Sequence, residues 1–119
     1  MGKFIIKKVP TGYKFDLKSL SGETVATSEV YTSRAACLKG AQGVIAVARM
    51  APQVDVDLGQ EVKNPKFEVY RDKKGHTRFR LLARNGKIIA VSEGYMTAYS
   101  CDRAIESVRA AAMAADIEG

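Results

Sequence analysis

Two cysteines, one histidine and a pair of glutamates are the side chains of this 119-residue chain best suited to chemistry, and their spacing is as informative as their types. Cys37 and Cys101 stand 64 residues apart, and so do Glu29 and Glu93. A thiol becomes a nucleophile only beside a base or cation, and a metal site needs several converging ligands. His76, alone beside Gly75, has neither in view and reads as a solvated turn residue. Glu29 and Glu93 form a symmetric carboxylate pair of the kind used in acid-base work. A Glu just ahead of a helix more often satisfies free backbone N–H groups at the positive helix end, and that is the role expected of both. The cysteines, at equivalent places in alanine-rich stretches, read as buried free thiols. No catalytic or metal motif is present, so the expectation is a non-enzymatic protein with no cofactor.

The 64-residue spacing extends well beyond those pairs. Residues 15–48 set against 79–112 give eleven identities in thirty-four positions, where chance gives roughly two or three. Each copy is too small to bury a core alone and must share one with its twin. The chain therefore reads as one pseudo-twofold domain over residues 1–119, with a first repeat over about 1–58, a linker over about 59–65 and a second repeat over about 66–119.

Each copy reads as three short strands and a helix. Tyr13 to Lys18 alternates Tyr, Phe and Leu with Lys, Asp and Lys, the pattern of a half-buried strand, between the turns at Pro10-Thr11-Gly12 and Ser21-Gly22. Lys66 to Arg71, Thr77 to Ala83 and Lys87 to Ser92 repeat the plan around Lys73-Lys74-Gly75 and Asn85-Gly86. Ser33 and Thr97 stand where helix caps belong. Beyond them Cys37, Ala41, Val44, Ala48 and Ala51 form a narrow apolar stripe, matched by Cys101, Ile105, Val108, Ala112 and Ala115. Gly40 and Gly43, at about 1 kcal/mol each relative to Ala, imply a close approach to the sheet. Val54 to Asp57 alternates like a further strand, and Asp116 to Glu118 is its shorter equivalent.

Net charge is +6, concentrated in the leading hairpin of each copy: residues 66–87 carry eight basic and two acidic side chains. Lys14 and Lys18 should share the sheet face opposite the helices with Arg78, Arg80 and Tyr70, giving a possible binding face. Cations beside an aromatic suit single-stranded nucleic acid, yet Asp16 and Glu68 interrupt the face and a merely solvated surface is the plainer reading. Leu38 and Ile45 form a second apolar stripe whose counterparts are Asp102 and Arg109, which suggests either a partner contact or lateral packing kept on one side only. No apolar run reaches membrane-spanning length and no signal-peptide pattern is visible, so a cytoplasmic location is expected.

Phe79-Arg80-Leu81, Asn85-Gly86, Ser92-Glu93-Gly94-Tyr95 and Cys101 together resemble the YegP-like family, the domain of unknown function 1508, also designated UPF0339, in its tandem two-repeat form. The first copy departs from it at Val30, where the family's Ser-Glu-Gly-Tyr element has Gly. The resemblance implies an α+β fold of β-β-β-α-β units: one mainly antiparallel sheet, two helices on one face, and C-terminal strands exchanged between repeats. It assigns the turn into the helix to Ser92, Glu93, Gly94 and Tyr95 and to Ser28, Glu29 and Tyr31. It carries no established activity. The function expected is a small binding or interaction module, with sequence-tolerant binding of RNA or single-stranded DNA as the alternative. The assembly expected is a monomer with internal pseudo-symmetry or a weak homodimer, of unidentified partner.

Overall fold

Alternating strands, capped helices and glycine turns assemble, in a computed structural model describing residues 2–113 and 116–119, into one mixed sheet with two helices. The strands are β1 (Lys3–Val9), β2 (Gly12–Lys18), β3 (Thr24–Thr27), β4 (Gln53–Asp55), β5 (Lys66–Arg71), β6 (Thr77–Leu82), β7 (Ile88–Val91) and β8 (Asp116–Glu118). The helices are α1 (Arg34–Val47) and α2 (Ala98–Met113). Spatial order is β4-β5-β6-β7-β3-β2-β1-β8. The strand following each helix pairs in parallel with the first strand of the other half, β4 with β5 and β8 with β1, and the remaining neighbours are antiparallel. At the centre Thr27 pairs with Val91, its own counterpart at the 64-residue offset.

Period-2 alternation puts Phe4 and Ile6 of β1, Phe15 and Leu17 of β2, and Phe79 and Leu81 of β6 on the helix side, all buried. Phe4 meets Phe15 edge-on at 5.4 Å between centroids, and Phe67 meets Phe79 likewise at 5.8 Å. In β3 the alternation breaks, since Val25 and Ala26 are both buried. Leu17 pairs with Ala26 but Lys18 with Thr24, so Val25 is the extra residue of a bulge, which turns two successive side chains toward one face. Ile89 and Ala90 repeat the device in β7.

The Ser33 hydroxyl accepts from the Ala36 N–H at 3.1 Å and caps α1; Thr97 does the same for Ser100 at 3.1 Å. The apolar stripes of both helices enter the core, Cys37 and Cys101 completely; Ala115, assigned to the second stripe, lies outside the described residues. Each helix spans the two halves: α1 packs on β1, β2 and β7, and α2 on β2, β3 and β6. The strand expected over Val54 to Asp57 is Gln53–Asp55, followed by a 3-10 turn at Val56–Leu58. Asp55 causes the difference: its side chain accepts from the Asp57 N–H at 3.0 Å and bends the chain out of the extended state.

The Leu38 and Ile45 stripe is lateral packing. Both side chains are partly buried against the core, as is Ile117 of β8. In the other half the positions aligned with Leu38 and Ile117 are joined by a hydrogen bond, Gln53 Nε2 to Asp102 Oδ1 at 2.6 Å. Arg109, opposite Ile45 in the alignment, donates to the Ala48 carbonyl at the end of α1 at 3.0 Å and lies 4.9 Å over the Phe67 ring. Side chains packed on the core on one side thus have polar counterparts on the other.

Candidate functional site

The charged side chains of β1, β2, β5 and β6 that alternate with core residues lie on the face away from the helices, and most of them are already engaged. Asp16, 5% exposed, takes an ion pair from Lys7 and another from Lys14 at 3.8 Å. Glu68 accepts from Arg80 Nε at 2.7 Å and pairs with Lys66 at 3.3 Å. Partial burial pushes the Glu68 carboxyl up, but the hydrogen bonds and charges of Arg80 and Lys66 outweigh it and hold the group below the usual carboxylate range. Arg80 also lies 4.7 Å over the Tyr70 ring. Arg78 donates to the Ser92 carbonyl at 2.9 Å and stands 3.7 Å from Asp72, and Lys18 donates to Thr24 Oγ1 at 2.5 Å. The fold therefore brings Tyr70, Arg78 and Arg80 together on one side and Lys14 with Lys18 on the other, with Arg80 paired to Glu68, Arg78 to Asp72 and Lys14 to Asp16. The acid changes strand between the halves, because Arg80 aligns with Asp16.

The recurrent turn is built on its serines. Ser28 Oγ accepts from the Phe15 N–H at 2.9 Å and donates to the Glu29 carbonyl at 2.7 Å; Ser92 Oγ accepts from Phe79 at 2.9 Å and donates to Glu93 at 2.8 Å. Each serine satisfies a strand N–H at the point where the third strand peels away, and both are buried. The backbone then returns to the hairpin: Tyr31 pairs with Tyr13, and Tyr95 with Thr77. Glu29 and Glu93 do not cap the helices. Their side chains are exposed and the caps are Ser33 and Thr97, because the chain spends three further residues crossing from the sheet before it coils. Burial raises the phenols of Tyr31 and Tyr95 above their ordinary value; Cys37 and Glu29 add to it for Tyr31, and Cys101, Glu93 and Glu23 for Tyr95.

His76 is not simply solvated. A Cβ on Gly94 would lie 2.8 Å from His76 Cβ, so the missing side chain at position 94 makes room for the imidazole. In the first half the positions aligned with them are Gly12 and Val30; a Cβ on Gly12 would collide first with the Tyr31 carbonyl oxygen and would stand 3.1 Å from Val30 Cγ1. A shallow cavity of about 390 Å³ borders His76, Lys73 and Arg78, with Asp72 at its centre accepting from the Lys74 and His76 N–H groups at 2.9 Å each.

A groove of about 400 Å³ runs between α2 and the β2–β3 turn. Ser19, Glu23 and Val25 form one wall, and Tyr95, Arg103 and Ser107 the other, so both halves contribute. Sequence reasoning passed over Glu23, Arg103 and Ser107. The signal lay in the repeat alignment, where Gly40 faces Ala104, Gly43 faces Ser107 and Ile89 faces Val25. In the first helix Tyr31 packs directly on Gly40, where any Cβ would collide with its hydroxyl, and a Cβ on Gly43 would meet Ile89 at 3.6 Å. Ala104 holds Tyr95 off, Val25 is shorter than Ile89, and the space those groups fill on one side stands open on the other.

Neither cysteine lies in that groove. Both are free, and burial pushes the Cys101 thiol up to about 11, with Asp102 adding to the effect and Arg71 opposing it. Among the described residues no three His, Cys, Asp or Glu side chains converge as metal ligands do, and no helix is long and apolar enough to cross a membrane.

One mixed eight-stranded sheet carrying two helices, closed by parallel edge pairs between its halves, defines an α+β class of protein. The family described as "Domain of unknown function (DUF1508)" matches residues 11–55 and 72–118, and the chain belongs to it. UPF0339 protein YegP of Escherichia coli O157:H7 is 36% identical over 104 residues, covering 87% of this chain and 83% of the relative. A UPF0339 protein of Methanosarcina acetivorans is 59% identical over 44 residues, 37% of this chain and 76% of the relative. The solution structure of yegP from E. coli, a protein of unknown function, superposes with a TM-score of 0.78 at 30% identity, covering 98% of this chain and 90% of that one. UPF0339 protein SO3888 from Shewanella oneidensis shares the fold, with a TM-score of 0.81 at 24% identity over 98% and 89% of the two chains.

Proposed function

We propose that the chain is a non-enzymatic binding module whose ligand surface is the groove between α2 and the β2–β3 turn. The observation that carries this reading is a groove of about 400 Å³ with a buried apolar floor at Val25 and Ala104 and with Glu23 and Arg103 in its lining, neither of which forms an ion pair among the described residues. A concave site of a few hundred Å³ is the usual size for a small ligand, and this one is lined mainly by polar side chains around that floor. The buried, protonated Cys101 offers no thiolate, which argues against covalent catalysis. The test is a two-dimensional amide NMR screen of the intact chain against mixtures of amino acids, organic acids, sugars and nucleotides. Shifts clustered in Ser19–Val25 and Ser100–Ala110 are expected; a screen that moves only other amides, or that shows a compound being converted, overturns the reading.

Binding of RNA or single-stranded DNA is the second reading, favoured by the excess of basic side chains in residues 66–87. Its difficulty is that Lys7, Lys14, Lys66 and Arg80 already have carboxylate partners, so a phosphate must compete with Asp16 or Glu68. Counterion release makes such binding fall steeply with salt. Replacing Arg78 and Arg80 by Ala would then flatten the salt slope, and no binding to a mixed-sequence single strand at low salt returns this face to solvent.

A further inference from the structure

Resting on that binding reading, we infer that the groove takes a small zwitterion, a molecule carrying a carboxylate and an ammonium on a short apolar body, with amino acids and dipeptides as the class. Glu23 and Arg103 line one groove without pairing among the described residues, and both side chains are exposed. Glu23 comes from the β2–β3 turn and Arg103 from α2, so the fold and not the local sequence sets their separation. Arg103 is oriented on its own helix: Nη1 stands 3.4 Å from Tyr99 Oη, and the guanidinium lies 5.8 Å from that ring. A guanidinium so placed offers a fork to a carboxylate, while Glu23 accepts from an ammonium.

The walls supply hydrogen bonding in between. The hydroxyls of Tyr95 and Ser107 have no hydrogen-bond partner among the described residues, and both line the groove. Burial raises the Tyr95 phenol above its ordinary value, which already lies well above neutrality, so its hydroxyl is a donor. Val25 and Ala104, both 6% exposed, floor the space and suit an aliphatic side chain. With one acid and one base in the lining, a zwitterion engages both charges at once, where a lone anion or a lone cation engages only one.

The experiment titrates the intact, isotope-labelled chain with L-leucine and glycyl-L-leucine, and in parallel with L-leucine methyl ester, which keeps only the ammonium, and N-acetyl-L-leucine, which keeps only the carboxylate. The zwitterions should move amides of Ser19–Val25 and Ser100–Ala110, and each single-charge analogue should bind about tenfold more weakly or worse. Arg103→Gln and Glu23→Gln should each weaken the zwitterions by a similar factor, while Arg84→Gln, on the aligned turn of the other half, should not; the same spectra report whether each variant is folded. Equal binding of either analogue, or zwitterion binding unaffected by both groove variants, overturns the inference. If these probes are silent while another screened compound moves the same amides, the ligand class is wrong and the groove stands. If no compound moves them, the binding reading falls as well.

Discussion

His76 lies against Gly94 in the second half, where the first half has Gly12 and Val30 at the aligned positions. The clearance is small: a Cβ on Gly94 would sit 2.8 Å from His76 Cβ and 3.0 Å from its Nδ1, and a Cβ cannot swing aside as a side-chain tip can. Gly94→Val, which copies the first half, should therefore destabilise the protein by about 1–3 kcal/mol through overpacking. In the His76→Gly background the same substitution should cost markedly less, giving a coupling of about 0.5–3 kcal/mol in a double-mutant cycle read by urea unfolding. Additive effects would mean that the two positions do not share the space.

Helix–helix and helix–strand contacts carry the other asymmetry, and Arg109 is its centre. Its guanidinium caps the last carbonyls of α1, donating to Ala48 at 3.0 Å and reaching Arg49 at 3.4 Å, and covers Phe67. Arg109→Ala should lower stability by about 1–3 kcal/mol, the loss of hydrogen bonds to α1 together with the cation–π contact. Arg109→Ile, which imports the residue at the aligned position 45, should lose less than the alanine variant because it restores apolar packing, as thermal or urea unfolding would show. An alanine variant as stable as the parent would reduce the contact to an exposed one without consequence.

At the scale of the molecule, no half has a closed sheet of its own. Removing residues 61–119 strips β1 of β8, β3 of β7 and β4 of β5, and leaves α1 without its contact to β7. The expected behaviour of residues 1–60 expressed alone is an unfolded chain or a homodimer in which a second copy supplies those strands, measured by light scattering and circular dichroism; a stable folded monomer would contradict it.

Alternation, capping residues and glycine turns are local, and strands, helices and hairpins were accordingly legible in the sequence, as were the buried cysteines. The Val56–Leu58 turn was missed because one Asp side chain, Asp55, outweighed a period-2 pattern. Three-dimensional proximity decided the rest. Pattern alone marked the sheet face as basic and interrupted by Asp16 and Glu68, and the strand register decides which cations each acid pairs with. Glu29 and Glu93 looked like helix caps because they precede helices, yet distance along the chain does not say where a backbone turns. The groove was the least visible feature, for it depends on the difference between Ile89 on Gly43 and Val25 beside Ser107, contacts between residues far apart in sequence. Sequence reports what each copy shares; the packing of one copy against the other decides where they differ, because a methyl group more or less closes or opens a cavity only when its neighbours are known.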